Sequence, residues 1–424
     1  MKKVLYRALL VLLSVAFSLA LGEALLRSYE RRALSLSAWL DADPLDLAKL
    51  KFNDTQVSRA KPAGEFRLLS FGDSFAYSIM SPRFSYAGLI ASNLNRTLTR
   101  PKIRVVNFGE GATTVRDYAA AHAFWAERIE HDAALFNIYM GNDILDVAYS
   151  YTQPKWSPNH LYLNQEYELA AGMKKSPVPH KFPLRILDYA YALYLTQFKM
   201  VKTPPAPPAA PPANHEERFN PAANHNLSEE VFLNTNQIQL VNFEPSKMGS
   251  LADGYRAIVA FFRYVSNVRR RGTKVLVVLS PNQAQVESAL RERIAAFNNL
   301  DLSVYDLTLP ARTITAIRDR VAPEVELLDL SPYFVCASEK GEDLYYLTNT
   351  HWGPEGNALA ARIIADYLGR SWFSQAPAGG DSGCDVAAYR ARFAKVDQAE
   401  ILRFVQRIVA STGSQSQVPA RTPW

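Results

Sequence analysis

The feature that most constrains the fold of this chain is a repeated alternation of short apolar runs with helical stretches. Most runs stop at a glycine or a proline, as buried strands do where they enter a turn. The apolar runs occupy residues 68–71, 103–108, 133–139, 274–280 and 325–330. Short apolar strands separated by helices are typical of a parallel sheet with helices on both faces. The sequence therefore predicts an α/β fold with a central parallel sheet.

The first run ends in the turn Gly72-Asp73-Ser74. In open α/β sheets the reactive groups lie beyond the carboxyl ends of the strands, so Ser74 stands where a nucleophile is expected. These residue types are also ordinary turn formers, because Asp and Ser bond their own backbone and glycine adopts unusual backbone angles. Ser74 is therefore a candidate nucleophile whose support must come from the rest of the chain.

Possible partners for a serine nucleophile follow the other predicted strands. Serine reacts when a base removes its proton and when donors receive the charge that develops on the carbonyl oxygen. Gly111 and Asn142 come after the second and third strands, where a backbone N–H and a side-chain amide can donate to that oxygen. His351 lies just before a helix that begins near Pro354. It can return to Ser74 as the base, because strand ends cluster on one face of such a sheet.

Four short motifs in this order resemble those of the SGNH/GDSL hydrolase family, which includes membrane-anchored bacterial serine esterases and acyltransferases. The motifs are GDSF at 72–75, NFGEGAT at 107–113, GND at 141–143 and THWGPEG at 350–356. The resemblance implies a flavodoxin-like α/β/α sandwich and chemistry on an acyl ester through an acyl-serine intermediate. It also implies that Ser74, Gly111 and Asn142 form the oxyanion hole and that His351 is the general base.

The third member of the expected triad departs from the family pattern. The family usually has an aspartate two or three residues before the histidine, and here those positions hold Asn349 and Thr348. An aspartate fixes the imidazole tautomer and stabilises its cation, and replacing it with asparagine in a serine protease costs about 10⁴ in turnover. Either Asn349 orients His351, or Asp343 or another acid replaces the aspartate, or hydrolysis is slow. The last case corresponds to a second function, that of a catalytically weak or inactive SGNH-fold protein that binds carbohydrate or acts as a scaffold.

Residues 1–26 have the pattern of an export segment. Lys2, Lys3 and Arg7 precede a long apolar run. This pattern is typical of a cleaved signal peptide or of a single anchor helix. Because apolar residues resume after Glu23, we expect an uncleaved transmembrane helix that anchors the protein on the extracytoplasmic, periplasmic side of the membrane. Cleavage would release a secreted protein.

Changes in composition define the remaining boundaries. We expect a membrane-proximal connector at 27–64, the hydrolase domain at 65–148 and 244–370, an insertion at 149–243, and a C-terminal helix and tail at 371–424. The insertion contains a proline-rich tract at 203–212 that is expected to be an extended or disordered linker. It forms a lid over the site, a flap that leans on the membrane, or a surface decoration.

Composition limits the classes of partner. Hydrophobic residues make up 48% of the chain and charged residues 21%, which are values of a globular protein rather than a disordered one. The basic residues behind the net charge of +6 are scattered, and no nucleic-acid motif is present. The expected partners are therefore an acylated carbohydrate or lipid substrate and the membrane, but no nucleic acid.

No cofactor and no metal are expected. Asp143 and Asp146 are the acidic residues closest to a metal-binding pattern, but no second ligand cluster accompanies them, and they suit solvated or helix-capping positions. Cys336 and Cys384 are too few for a cysteine-rich zinc site. They form a disulfide or remain two separate buried thiols.

Overall fold

The computed structural model describes residues 7, 14, 17–25, 43–48, 52–149, 184, 187, 227–375 and 384–412. The chain divides into two compact units, and each unit is formed by two separate segments. The first unit comprises Met1–Asp46 and Pro158–Ala213, and the second comprises Leu47–Ser157 and Asn214–Trp424.

In the first unit, the described residues include a helical stretch at 17–25 and the short strand Leu45–Asp46. Phe17 and Leu25 in the helical stretch are exposed. Among the residues that the structure describes, no helix combines the length and apolar character needed to cross a membrane. Of the predicted anchor at 1–26, only 7, 14 and 17–25 belong to these residues, and the rest lies outside them.

The second unit is built around a five-stranded parallel sheet. Its strands are β1 (Glu65–Gly72), β2 (Lys102–Asn107), β3 (Ala133–Tyr139), β4 (Lys274–Ser280) and β5 (Glu326–Asp329). The strands lie side by side in the order β2-β1-β3-β4-β5, and every neighbouring pair is parallel. This is the flavodoxin-like order, in which the direction of winding reverses next to the first strand. The prediction of an α/β fold with a central parallel sheet is confirmed.

Helices connect the strands and cover the sheet. They are α1 (Ser74–Tyr77), α2 (Tyr86–Thr97), α3 (Val115–Ala126), α4 (Asp143–Tyr149), α5 (Glu229–Leu240), α6 (Ala252–Arg270), α7 (Gln283–Val286), α8 (Ser288–Asn298), α9 (Leu309–Val321), α10 (Ser331–Glu339), α11 (Pro354–Phe373), α12 (Val386–Phe393) and α13 (Gln398–Ser411). The same unit contains the short strand Gln56–Val57 and the 3₁₀ turns Val241–Phe243, Pro245–Lys247 and Leu302–Val304.

Successive side chains of a strand point to opposite faces, and the sheet is buried on both. On one face, Leu68 of β1 belongs to a core that includes Ile90 of α2 and Leu359 of α11. On the other face, Phe71 of β1 stacks on Phe136 of β3, with 5.5 Å between the ring centroids. Both faces of the sheet are therefore closed to solvent. Chemistry is expected at the carboxyl ends of the strands.

A disulfide joins Cys336 of α10 to Cys384, which precedes α12. The two cysteines are thus paired rather than separate thiols. The bond ties the last part of the described chain to the helix that follows β5.

Most of the predicted insertion at 149–243, including the proline-rich tract at 203–212, lies outside the described residues. The part of the insertion that is described contains helix α5. Of the predicted connector at 27–64, residues 43–48 and 52–64 are described. The boundaries of these segments stay predictions.

Candidate active site

Ser74 lies in a tight turn at the carboxyl end of β1, where it is the first residue of α1. Asp73 caps this short helix, and its Oδ1 accepts a hydrogen bond from the backbone N–H of Phe75 at 2.9 Å. Gly72 is required by a close approach, because a Cβ there would lie 2.7 Å from Cβ of Ala76 and 2.9 Å from the carbonyl oxygen of Asn137. The turn therefore presents Ser74 at the edge of the sheet on a fixed backbone.

His351 lies in the loop just before α11 and reaches Ser74. Its Nε2 is 2.8 Å from the Oγ of Ser74. The imidazole stacks on the ring of Phe75, with the centroids 5.0 Å apart and the planes inclined by 27°. Burial lowers the pKa of His351 to about 4, so the ring is neutral near pH 7 and can accept a proton.

Asn349 contacts the other nitrogen of the same ring. Its Oδ1 accepts hydrogen bonds from the Nδ1–H of His351 at 2.7 Å and from the backbone N–H of His351 at 3.2 Å. A hydrogen on Nδ1 leaves the lone pair of Nε2 directed at Ser74, which is the tautomer that a general base needs. The amide supplies orientation but no negative charge. Asp343, the other residue considered for this position, is exposed and makes no hydrogen bond to the ring.

The glycine loop that follows β2 packs against the Ser74 turn. The backbone N–H of Glu110 donates to the carbonyl oxygen of Gly72 at 3.0 Å. A Cβ on Gly109 would lie 2.2 Å from the backbone nitrogen of Tyr77, so only glycine fits there. A Cβ on Gly111 would lie 3.9 Å from Cβ of Ser74, which places the Gly111 backbone beside the nucleophile.

Asn142 lies after β3, the strand next to β1, and directly before α4. Its backbone carbonyl oxygen accepts a hydrogen bond from the N–H of Asp146 at 2.7 Å. Its side-chain Oδ1 is buried and has no hydrogen-bond partner in the described part of the chain. The structure therefore brings Asn142 to the same edge of the sheet as Ser74, without a hydrogen bond between the two residues.

Two buried carboxyl groups lie next to these residues. Asp73 and Asp143 are both 0% exposed. Asp143 accepts hydrogen bonds from the hydroxyl of Tyr118 at 2.7 Å and from the backbone N–H of Tyr139 at 2.9 Å. Burial, and then the charge of Asp73, raise the pKa of Asp143 well above its usual range. Of the two positions predicted for Asp143, solvated and helix-capping, the solvated one is wrong, because the carboxyl group is fully buried and hydrogen-bonded to Tyr118 and Tyr139.

Sequence reasoning did not find this carboxyl pair. The available signal was that each comes shortly after an apolar run and adjoins a site residue, Asp73 directly before Ser74 and Asp143 directly after Asn142. As for a metal, the described residues contain no group of three or more His, Cys, Asp or Glu side chains that could hold one.

Comparison with known proteins gives one family model and several solved structures. The model, described as SGNH hydrolase-like domain, acetyltransferase AlgX, matches residues 251–388, a segment that includes Asn349 and His351. No curated protein matches the chain.

The similar solved structures include three carbohydrate esterases. The acetyl xylan esterase AlAXEase is 11% identical, with 72% of this chain and 100% of that chain covered and a TM-score of 0.36. A two-domain esterase active on acetylated mannans is 11% identical, with 73% and 50% covered and a TM-score of 0.34. Axe2, an acetylxylan esterase from Geobacillus stearothermophilus, is 12% identical, with 73% and 96% covered and a TM-score of 0.31. At such TM-scores the fold assignment rests on the strand order rather than on these likenesses.

Proposed function

The chain carries an SGNH hydrolase-like domain, and we propose that it is a serine esterase or O-acyltransferase that forms an acyl ester on Ser74. The observation that carries this proposal is the continuous hydrogen-bonded series from Ser74 Oγ to His351 Nε2 and from His351 Nδ1 to Asn349 Oδ1, at 2.8 and 2.7 Å. A serine, a neutral imidazole and a group that fixes the tautomer are what nucleophilic attack on an ester requires.

In the first half-reaction, the Oγ of Ser74 forms a bond to the carbonyl carbon of the ester while its proton moves to Nε2 of His351. The tetrahedral intermediate then collapses, the bond to the leaving alkoxide breaks, and the alkoxide takes the proton from His351. In the second half-reaction, water or a second hydroxyl group attacks the acyl-Ser74 with the same proton transfers in the same order. Water gives hydrolysis and a hydroxyl group gives acyl transfer.

The negative charge on the carbonyl oxygen needs donors near Ser74. We assign this role to the backbone N–H groups of Ser74 and Gly111 and to the side-chain amide of Asn142. Support comes from the 3.9 Å between a Cβ built on Gly111 and the Cβ of Ser74, and from the position of Asn142 at the end of the neighbouring strand. Donors of this kind typically contribute about 10² to 10³ each in turnover.

Asn349 in the position of the usual acid favours the alternative function, a catalytically weak or inactive SGNH-fold protein that binds carbohydrate or acts as a scaffold. An amide does not stabilise the imidazolium that forms during attack, so the rate is expected to be lower than with a carboxylate. The intact hydrogen bond between Ser74 and His351 favours the enzyme over the binding protein.

We propose an acetyl ester of an envelope carbohydrate or lipid as the substrate, because the matching family model is described as an acetyltransferase. We also propose that residues 1–26 anchor the protein on the periplasmic side of the membrane. The Cys336–Cys384 disulfide supports an oxidising compartment, where such bonds persist.

A fluorophosphonate probe tests the proposal. Ser74 Oγ would form a bond to phosphorus, fluoride would leave, and His351 would take the serine proton, so labelling reports the activated nucleophile directly. Ser74→Ala should abolish labelling. Ser70→Ala is the matched control, because Ser70 lies in β1, the strand that leads to Ser74, but contacts the hydroxyl of Tyr86 instead, at 3.1 Å, and should still label. If folded wild-type protein fails to label, the result contradicts the esterase proposal and favours the alternative, an SGNH-fold protein that binds carbohydrate or acts as a scaffold.

A further inference from the structure

The carboxyl group of Asp73 has an unusual hydrogen-bond environment for a residue next to a nucleophile. It is 0% exposed, and its Oδ1 accepts one hydrogen bond, from the N–H of Phe75 at 2.9 Å. Its Oδ2 is buried and has no hydrogen-bond partner among the described residues. An ionised carboxylate offers about four acceptor positions, so a single donor leaves the charge poorly solvated. A proton on Oδ2 removes that charge.

The groups around Asp73 add negative charge rather than compensating for it. Asp146 on α4 acts as a like charge on Asp73, and Asp73 acts as a like charge on Asp143, the first residue of α4. The hydroxyl-bearing groups that interact with it electrostatically are Tyr86 from α2, Tyr118 from α3 and Tyr139 from β3. None of these neighbours is a cation. Burial therefore raises the pKa of Asp73 to about 7, and the charge of Asp146 adds to the shift. The backbone amides of Phe75 and Asp73 and, more weakly, the hydroxyl of Ser74 oppose it.

We propose that Asp73 is a positioning residue that permits Ser74 to react only while its own carboxyl group is protonated, so that ionisation of Asp73 switches the site off as the pH rises. This inference rests on the proposed function of Ser74. Asp73 does not touch the substrate. It acts through the α1 cap that it forms and through the charge that it places one residue from the nucleophile.

The physical reason is the sign of the charge that develops during attack. The carbonyl oxygen becomes an anion beside Ser74, and an ionised Asp73 in the same buried turn repels it. At an effective dielectric constant of about 20, a like charge one residue away from the nucleophile slows the attack of Ser74 on the ester by roughly tenfold to a hundredfold. A protonated Asp73 keeps the same cap on the Phe75 N–H and exerts no such repulsion.

The test is the rate of fluorophosphonate labelling of the full chain between about pH 5 and about pH 9. In wild type the rate should fall by about tenfold or more as the pH rises through the ionisation of Asp73. Asp73→Asn keeps the shape and the capping ability of the side chain but cannot ionise, so its rate should not fall. The ratio of the two rates cancels the pH dependence of the probe itself.

Asp146→Asn provides a second test, in which the decline in labelling should move along the pH axis instead of disappearing. Removing this like charge lowers the pKa of Asp73, so the decline in labelling should begin at a lower pH than in wild type. The Asp146→Asn profile also decides the matter if Asp73→Asn does not fold. A decline that is unchanged in Asp73→Asn, or one that does not move in Asp146→Asn, would overturn the switch while leaving Ser74 as the nucleophile. An absence of labelling in wild type at every pH would overturn the proposed function as well.

Discussion

The two ends of strand β1 differ in whether their buried ionisable groups have a partner of opposite charge. At its start, Arg67 is 1% exposed, and its Nε donates to Glu65 at 2.7 Å. The Nη1 of Arg67 donates to the carbonyl oxygens of Ser58 at 2.8 Å and Glu130 at 3.2 Å. Asp132 accepts from the backbone N–H of Arg67 at 2.7 Å. The charge at this end is therefore paired with Glu65 and hydrogen-bonded to backbone carbonyl oxygens.

At the other end of the strand, the buried carboxyl groups of Asp73 and Asp143 have no cation beside them. Next to them, His351 has an amide as its partner instead of a carboxylate. Buried charges that are paired serve structure, whereas perturbed groups that are not compensated cluster at sites of chemistry. At the amino end of β1 the buried charge is paired and stabilises the fold. At the carboxyl end, next to the nucleophile, the buried carboxyl groups have no such compensation. Substitutions at the two ends should therefore affect different properties.

Ser74→Ala should give the largest effect, and only on chemistry. Without the nucleophile, hydrolysis of 4-nitrophenyl acetate should fall by about 10³-fold or more. The melting temperature should barely change, because the hydrogen bond that is lost joins Ser74 Oγ to the neutral ring of His351. Steady-state kinetics and thermal unfolding measure the two quantities. A variant that loses both activity and stability would contradict the assignment of activity to the carboxyl end of β1 and of stability to its amino end.

Arg67→Met should give the largest effect on stability. It leaves the carboxylate of Glu65, whose side chain is 13% exposed, without its partner, which should cost up to about 3–5 kcal/mol in the free energy of unfolding. Denaturant unfolding measures this cost. In the matched double variant Arg67→Met with Glu65→Met, no buried charge remains, so most of the lost stability should return. Loss of fluorophosphonate labelling by the folded single variant would contradict the account.

Asn349→Asp should sharpen the comparison by adding a compensating charge at the reactive end. A carboxylate stabilises the imidazolium, so turnover near neutral pH should rise by about tenfold to a hundredfold. The carboxylate should also raise the pKa of His351 from about 4, so the acidic limb of the pH–rate profile should move to higher pH.

Thr348→Asp is the matched control for this variant, because it adds the same charge one residue away from the hydrogen bond to His351. It should bring no gain in turnover. An equal gain in both variants would mean that general charge, rather than the position of Asn349, sets the rate.

Lys61→Met should give the smallest effect. Lys61 forms a salt bridge with Asp132 at the same end of the sheet as Arg67, but the two side chains are 26% and 28% exposed. Partly exposed pairs contribute about 0–1 kcal/mol and weaken with salt. Denaturant unfolding at low and high ionic strength checks this. A loss as large as that of Arg67→Met would show that burial does not explain the difference between the two cations.

The strands and the order of the site residues could be predicted because their signals are local. Apolar runs and the glycines that end them identify β1, β2 and β3, and the spacing of Asn349 and His351 indicated which side chain could face the ring. Helix ends carry weaker local signals, and α7 and α8 are separate helices that break at Glu287.

Features that depend on distant packing could not be predicted. Asp73 and Asp143 look like ordinary turn and capping residues in the sequence, but the fold buries both, and Asp143 accepts hydrogen bonds from Tyr118 of α3 and Tyr139 of β3. The pairing of Cys336 with Cys384 likewise joins segments that are far apart in the chain.

The central claim is that Ser74 carries the acyl group, and trapping that intermediate tests it most directly. The full chain is mixed with 4-nitrophenyl acetate, quenched in acid, digested and analysed by peptide mass spectrometry. We predict one acetyl group on the peptide that contains Ser74, and no acetylation of that peptide in Ser74→Ala. Turnover of the ester with no acetyl group on Ser74 at any quench time, or with equal acetylation in the Ser74→Ala protein, would contradict the account.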